Sequence, residues 1–237
     1  MKYMGSKNRI AKHLLPIILK DRKPNQWYVE PFVGGANMID KVDGNRIGAD
    51  SNKYLIALLK QMASYSYSSP YITESDFEDI KQNKELYPEW VVGFAGFQLS
   101  FSAMWFGSYR RDNKGNRDYA CEAKRNVDKQ AKNIKNVKFK SSSYDSFIIP
   151  ESSIIYCDPP YKGTAKYKAV EDFNHGKFWQ WCRDKAKEGH QVFISEYNAP
   201  DDFICVWQQE LNVSVAKDGK HKKAVEKLFV HNSQVNK

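Results

Sequence analysis

Acidic residues are the scarce charge here: 28 Asp and Glu stand against 37 Lys and Arg over 237 residues, a formal charge of +9. That balance favours a polyanionic partner, nucleic acid first and anionic membrane second. Cysteine is sparse too. Cys121, Cys157, Cys182 and Cys205 are scattered and none forms a C-x-x-C pair, so reduced thiols are expected rather than a zinc site. The N-terminus lacks an uninterrupted apolar segment of signal length, and no later run approaches a membrane span. Internal repeats and low-complexity segments are absent. So is the full G-x-G-x-x-G fingerprint, which argues against a dinucleotide ligand. The expectation is a soluble, intracellular protein with one large α/β domain and an insertion, or two small domains. Its apolar content, 41% of residues, is enough for a sizeable core.

The apolar pattern sets out alternating helices and strands. Ser6 is placed to cap a helix over residues 7–20, with Ile10, Leu14, Ile17 and Ile18 on one face. Trp27-Tyr28-Val29 reads as a buried strand, followed by a glycine turn and a helix over about residues 36–44. Arg46-Ile47-Gly48-Ala49 reads as a second strand ending at Asp50. A helix from Ser51 follows, with Leu55, Leu58, Leu59 and Met62 as its stripe. This is a βαβ unit, and parallel sheets place ligands at the carboxyl ends of such strands. Residues 64–70 read as a polar loop, 88–102 as an apolar helix, 108–119 as an exposed loop or hairpin, and 121–135 as a basic helix. Residues 61–132 are therefore expected to be an insertion, mainly helical, in a scaffold of residues 1–60 and 133–237. The scaffold resumes with strands at Val137-Lys138-Phe139 and Ile154-Ile155-Tyr156-Cys157. A helix over 173–186 closed by Gly189 and a strand Gln191-Val192-Phe193-Ile194-Ser195 come next. Residues 206–215 and 225–230 read as two strands around a Lys-rich turn, an antiparallel edge on a mostly parallel sheet.

Two constellations carry chemistry. Asp158-Pro159-Pro160-Tyr161 follows the strand that ends at Cys157. Its prolines fix the backbone and remove two N–H donors. A flat ring entering there meets a carboxylate and a carbonyl on its edge and a tyrosine on its face, as a base taken out of a DNA stack requires. The other is Phe32-x-Gly34-Gly35-Ala36, after a strand, with Asp50 at the end of the next. A glycine pair after a strand is usually only a turn. With an acid placed to bond ribose hydroxyls, it favours an adenosine-containing ligand. On physics alone Lys7 is an ordinary N-terminal lysine, although it could pair with the carboxylate of an amino-acid tail.

In order, Tyr3-Met4-Gly5-Ser6-Lys7, Glu30-Pro31-Phe32-Val33-Gly34-Gly35-Ala36, Asp50 and Asp158-Pro159-Pro160-Tyr161 resemble the motifs of Dam-like DNA adenine methyltransferases, and most of all the small orphan type of phages and prophages. Lys162-Gly163-Thr164-x-x-Tyr167, the strand from Val192 to Tyr197 and Glu226-Lys227-Leu228-Phe229-Val230 are similar to that family as well, so the resemblance covers nearly the whole chain. It implies a Rossmann-like methyltransferase sheet, S-adenosylmethionine as donor (leaving as S-adenosylhomocysteine), and adenine flipped from duplex DNA as acceptor. Tyr3, Lys7, Glu30, Phe32, Gly34, Gly35, Asp50 and Asp158 would hold the donor. Asp158 and the Pro159 carbonyl would accept the two N–H protons of the adenine amino group, and Tyr161 would stack on the base. No metal is implied. Three departures stand out. The family often has glycine where Ala36 stands, with little loss expected from a residue this small. It often has an acid where Ser143 precedes Tyr144. It often has glycines within Ser102-Ala103-Met104-Trp105.

Residues 108–135 carry nine basic side chains against four acids, a net +5, and resemble the family's target-recognition element. Arg110, Arg111, Asn116 and Arg117 are candidates for base edges or phosphates. Tyr109 or Tyr119 is a candidate to fill the gap left by a flipped base, and Lys124 and Arg125 to hold phosphate. The basic turn at 217–223 is a weaker candidate. The expected partner is double-stranded DNA in a bacterial or phage-infected cytoplasm, with a monomer sufficient and no obligate protein partner. Other readings keep the chemistry but change the acceptor to an RNA base, cytosine or a protein amide. Another makes the chain a non-catalytic DNA-binding remnant. A last one takes Glu122-Ala123-Lys124 as part of a metal nuclease.

Overall fold

The computed structural model describes residues 1–112, 114–161, 173–215 and 221–235, and their side chains except at 212–215 and 221–223. Thirteen helices and strands are described. They are α1 (Ala11–Ile18), β1 (Tyr28–Glu30), β2 (Arg46–Asp50), α2 (Lys53–Ala63), α3 (Glu74–Gln82), α4 (Glu89–Gln98) and α5 (Tyr119–Ala131), then β3 (Val137–Ser141), β4 (Ile154–Cys157), α6 (His175–Lys187), β5 (Gln191–Glu196), β6 (Phe203–Val215) and β7 (His221–His231). The strands follow the order β3-β2-β1-β4-β5-β7-β6. The chain divides into two units, Met1–Lys12 with Pro31–Phe147, and His13–Glu30 with Ile148–Lys237.

In the first unit β2 and β3 run parallel, Arg46 opposite Val137 and Asp50 opposite Ser141. Asn52 caps α2, whose Leu55, Leu58, Leu59 and Met62 are buried as the sequence stripe requires. Helix α4 carries an apolar surface all round, and buries everything from Val92 to Gln98. Its Gly93 lies so close to α2 that an added Cβ would come within 2.2 Å of the Tyr54 carbonyl oxygen. Helix α3 has no counterpart in the hydrophobic reading. Its start is nonetheless written in the chain, because Thr73 and Asp76 form a reciprocal capping box. Among the described residues, 108–119 contains no named strand before α5, only an isolated bridge from Ser100 to Tyr109.

Two expected helices are shorter or missing. Over residues 7–20, Ser6 caps only a 3-10 turn, Lys7–Arg9, and the α-helix begins at Ala11. Over residues 36–44 only the 3-10 turn Ile39–Lys41 forms. Gly34 and Ala36 adopt left-handed φ angles of 45° and 54°, and these break the right-handed run before it can propagate. Ala36 thus sits where glycine is free and alanine costs about 1 kcal/mol, more than its small size suggested.

In the second unit β1, β4 and β5 are parallel, with Tyr28 opposite Ile154 and Ile155 opposite Val192. Strand β4 is buried at all four residues, as a parallel strand covered on both faces should be. The closing hairpin is antiparallel: β7 pairs with β5 on one side and β6 on the other. Helix α6 lays Phe178, Trp179 and Cys182 into this core, and Gly189 ends the segment at φ 91°. Cys157 and Cys182 are buried, Cys205 exposed, and all are free thiols. Among the described residues no helix is long and apolar enough to cross a membrane.

Candidate functional site

The first unit assembles four of the donor-site candidates around the glycine turn. Backbone N–H of Gly34 donates to Asp50 Oδ2 at 3.2 Å, and that of Asn52 donates to Oδ1 at 2.9 Å. Asp50 thus ties the turn to the start of α2. Burial pushes its carboxyl above the ordinary aspartate range, against the pull of those two N–H bonds. Each oxygen retains acceptor capacity, so the pair of hydroxyls on a ribose would fit this acid.

Tyr3 lies over the two glycines. A Cβ on Gly34 would meet the Tyr3 ring at 2.7 Å, and one on Gly35 would meet Tyr3 Cβ at 2.5 Å. The expected close approach at these glycines is therefore made by Tyr3 itself. Gln130, which the sequence reading did not single out, braces the turn from α5. Its amide donates to the carbonyls of Gly35 at 3.0 Å and Ala36 at 3.1 Å. Phe32 stacks on Tyr144 with centroids 5.3 Å apart. The Lys7 ammonium lies 3.5 Å from the Gly5 carbonyl oxygen.

The second unit holds Glu30 and the Asp158 motif. Glu30 ends β1 and is 3% exposed. Asp158 follows β4 directly, so the parallel sheet delivers it at a strand's carboxyl end. Pro159 is buried, and Asp158, Pro160 and Tyr161 are half-buried. The Tyr161 hydroxyl donates to the carboxylate of Glu226 on β7, and its ring stands edge-on to Tyr197 with centroids 4.7 Å apart. Burial first, then the charges of Asp158 and Glu226, push the Tyr161 phenol well above its ordinary value. It therefore stays a neutral donor with a fixed ring. Beneath it Tyr156 and Ser195 share a buried hydrogen bond of 2.8 Å. Residues 162–167, which carry the Lys162-Gly163-Thr164 continuation, lie outside the described residues.

The DNA candidates are sorted by their surroundings. Tyr109 turns inward, its hydroxyl donating to the Ile72 carbonyl at 3.1 Å and its ring packing on Phe77. Lys124 donates to the Ser69 carbonyl at 2.5 Å. Arg111 forks onto Glu74, with Nε 2.8 Å from each carboxylate oxygen. Arg110 lies 4.1 Å above the Tyr119 ring and 3.7 Å from Glu122. Asn116, Arg117 and Arg125 face solvent. In the basic turn at 217–223, residues 217–220 lie outside the described residues.

A mostly parallel sheet with an antiparallel terminal hairpin, an acid at the end of β2 and Asp-Pro-Pro-Tyr after β4 define a Rossmann-like methyltransferase. Residues 3–90 and 105–203 match the profile of the D12 class N6 adenine-specific DNA methyltransferases, and the chain belongs to that family. Membership agrees with the adenine methyltransferase class that the motifs implied. The chain is 24% identical over 210 residues to the Type II methyltransferase M.FokI of Planomicrobium okeanokoites, covering 77% of this chain and 31% of that protein. It therefore spans about a third of that relative's length. The crystal structure of SMU.472 complexed with SAH is similar at 11% identity and a TM-score of 0.35, over 95% of this chain and 52% of that one.

Proposed function

We propose that this protein is a site-specific DNA methyltransferase acting on the 6-amino group of an adenine flipped out of double-stranded DNA. The observation that carries the reading is Asp158-Pro159-Pro160-Tyr161 at the carboxyl end of a fully buried parallel strand, with the Tyr161 hydroxyl fixed to Glu226. The amino lone pair of adenine is delocalised into the ring and is a poor nucleophile. The Asp158 carboxylate and the Pro159 carbonyl accept hydrogen bonds from its two N–H groups, which raises electron density on nitrogen and stabilises the positive charge that develops there until one proton is lost. Tyr161 offers a ring of fixed orientation for stacking.

S-adenosylmethionine supplies an electrophilic methyl group when bound. Asp50 holds its ribose hydroxyls, Tyr3, Phe32, Gly34 and Gly35 enclose its adenosine, and Lys7 pairs with its carboxylate. Glu30 is the candidate from the other unit, and Asp158 serves the acceptor base rather than the donor. Residues 61–132 act as the target-recognition region, with Asn116, Arg117 and Arg125 exposed and Arg111 exposed but paired with Glu74. The setting is a cytoplasm, and a monomer suffices for flipping one base.

The test is transfer of tritium from labelled S-adenosylmethionine into adenine of unmethylated DNA. Asp158→Ala is expected to abolish transfer, by about 10³-fold or more, while donor affinity by calorimetry stays within about threefold of wild type. Loss of donor binding in that variant would refute the role given to Asp158, and an unlabelled adenine pool with folded wild-type protein would refute the activity.

A further inference from the structure

The loop that joins α4 to the basic segment places its aromatic side chains on opposite sides. Trp105 and Phe106 go inward. Trp105 packs 4.7 Å from Phe97 and 5.4 Å from Tyr54, and Phe106 packs 5.4 Å from Phe77. Phe101 and Met104 stay outside at 63% and 45% exposure. Between them Ser102 and Ala103 both adopt left-handed φ angles, 56° and 55°. Two successive non-glycine residues in that region are strained, and such strain persists only where the surroundings hold it. Here they do. The Phe101 N–H donates to Ser108 O at 2.8 Å, Arg110 N–H to Leu99 O at 2.9 Å and Phe106 N–H to Gly96 O at 3.1 Å. The exposed ring therefore stands on a braced support.

Phe101 borders a cleft of about 490 Å³ within the first unit, lined also by Lys2, Arg9, Arg110, Arg111 and Tyr119. Those four cations share two acids, Glu122 with Lys2 and Arg110 and Glu74 with Arg111, so the ring stands in a net positive surround. That suits a polyanion with a stack of flat bases inside it, and apolar wedges between base steps are a known way of unstacking DNA. The two tyrosines nominated for this task from the sequence are otherwise engaged, Tyr109 on Ile72 and Tyr119 beneath Arg110. Residues 91–104, which include Phe101, fall between the two stretches that match the family profile.

We propose that Phe101 is the wedge that enters the duplex when the target adenine leaves it, with the exposed Arg9 on a flanking phosphate. This rests on the DNA adenine methyltransferase reading. The test compares wild type with Phe101→Ala, which removes an exposed ring and should leave the melting temperature unchanged. On fully paired DNA the variant is expected to lose about 10- to 100-fold in kcat/KM, the worth of one stacked aromatic. Opposite an abasic site, where the adenine is already unpaired, it should come within about threefold of wild type. Fluorescence of duplexes carrying 2-aminopurine in place of adenine should rise on binding wild type, not on binding Phe101→Ala, and should recover with Phe101→Trp. Equal loss on paired and abasic substrates, no loss on either, or an undiminished fluorescence rise would overturn the role. Absence of methyl transfer by wild type would instead overturn the activity, and the fluorescence arm would still decide Phe101.

Discussion

Asp50 accepts two backbone N–H bonds and still has its pKa raised by burial, so as a carboxylate it is an acid short of donors. Asp50→Asn removes a buried charge but keeps only one of the two acceptor oxygens, so its amide NH2 faces one of the two backbone N–H groups. We expect these effects to oppose each other in melting temperature, the pH dependence due to this carboxyl to disappear, and S-adenosylmethionine affinity to fall about tenfold, or about 1.4 kcal/mol. The sign follows from linkage. A carboxyl whose folded pKa is raised binds its proton more tightly in the native state, so stability drops as pH climbs from the ordinary aspartate value through the raised one. Wild type should lose stability over that window relative to Asp50→Asn. Thermal scans against pH and calorimetry check both halves, and the same pH dependence in variant and wild type or an unchanged affinity would sink the assignment. Asp50 was legible because strand, glycine turn and second strand fix its place by local pattern alone. Tyr3 over Gly34 and Gly35 was not, since nothing in the short-range pattern says which distant ring fills the space that two missing Cβ atoms leave.

Helices α2 and α4 meet at Gly93, where any side chain would run into the Tyr54 carbonyl. Backbone cannot step aside as a flexible side chain can. Gly93→Ala is expected to cost about 2 kcal/mol or more in urea denaturation, with a normal m-value, and an effect under about 0.5 kcal/mol would mean that the helices separate freely. An amphipathic element such as α2 could be read from its stripe. Helix α4 was legible as helix but not in its contacts, because an element apolar on every side names no particular neighbour. The expected helix after the glycine turn failed for a different reason: Ala36 is a good helix former, and the left-handed φ that the turn imposes outweighs that propensity.

The net charge of +9 belongs to the molecule as a whole. DNA binding should weaken steeply with salt, each neutralised phosphate contributing about 0.9 to the log–log slope. Arg117 is exposed, so Arg117→Ala should reduce that slope by about 1 without moving the melting temperature. Fluorescence anisotropy over a salt series reads it, and an unchanged slope would remove Arg117 from the phosphate contacts. Charge was legible in composition, but its availability was not. Arg111 and Lys124 look the same as Arg117 in the sequence, and only tertiary contacts show Glu74 and the Ser69 carbonyl engaging them.

The pairing of β1 with β4 sets an order of events during synthesis. Tyr28 and Ile154 are opposite each other yet 126 residues apart in the chain. While the ribosome makes everything between them, β1 lacks its β4 neighbour, whereas β2, α2, α4 and β3 are all in hand once Ser141 has emerged. Long-range parallel pairing is slow because loop closure precedes its reward. The unit that carries Asp158 is thus the last to be completed, and a nascent chain stalled before β4 would hold the glycine turn and Asp50 without the Asp158 motif.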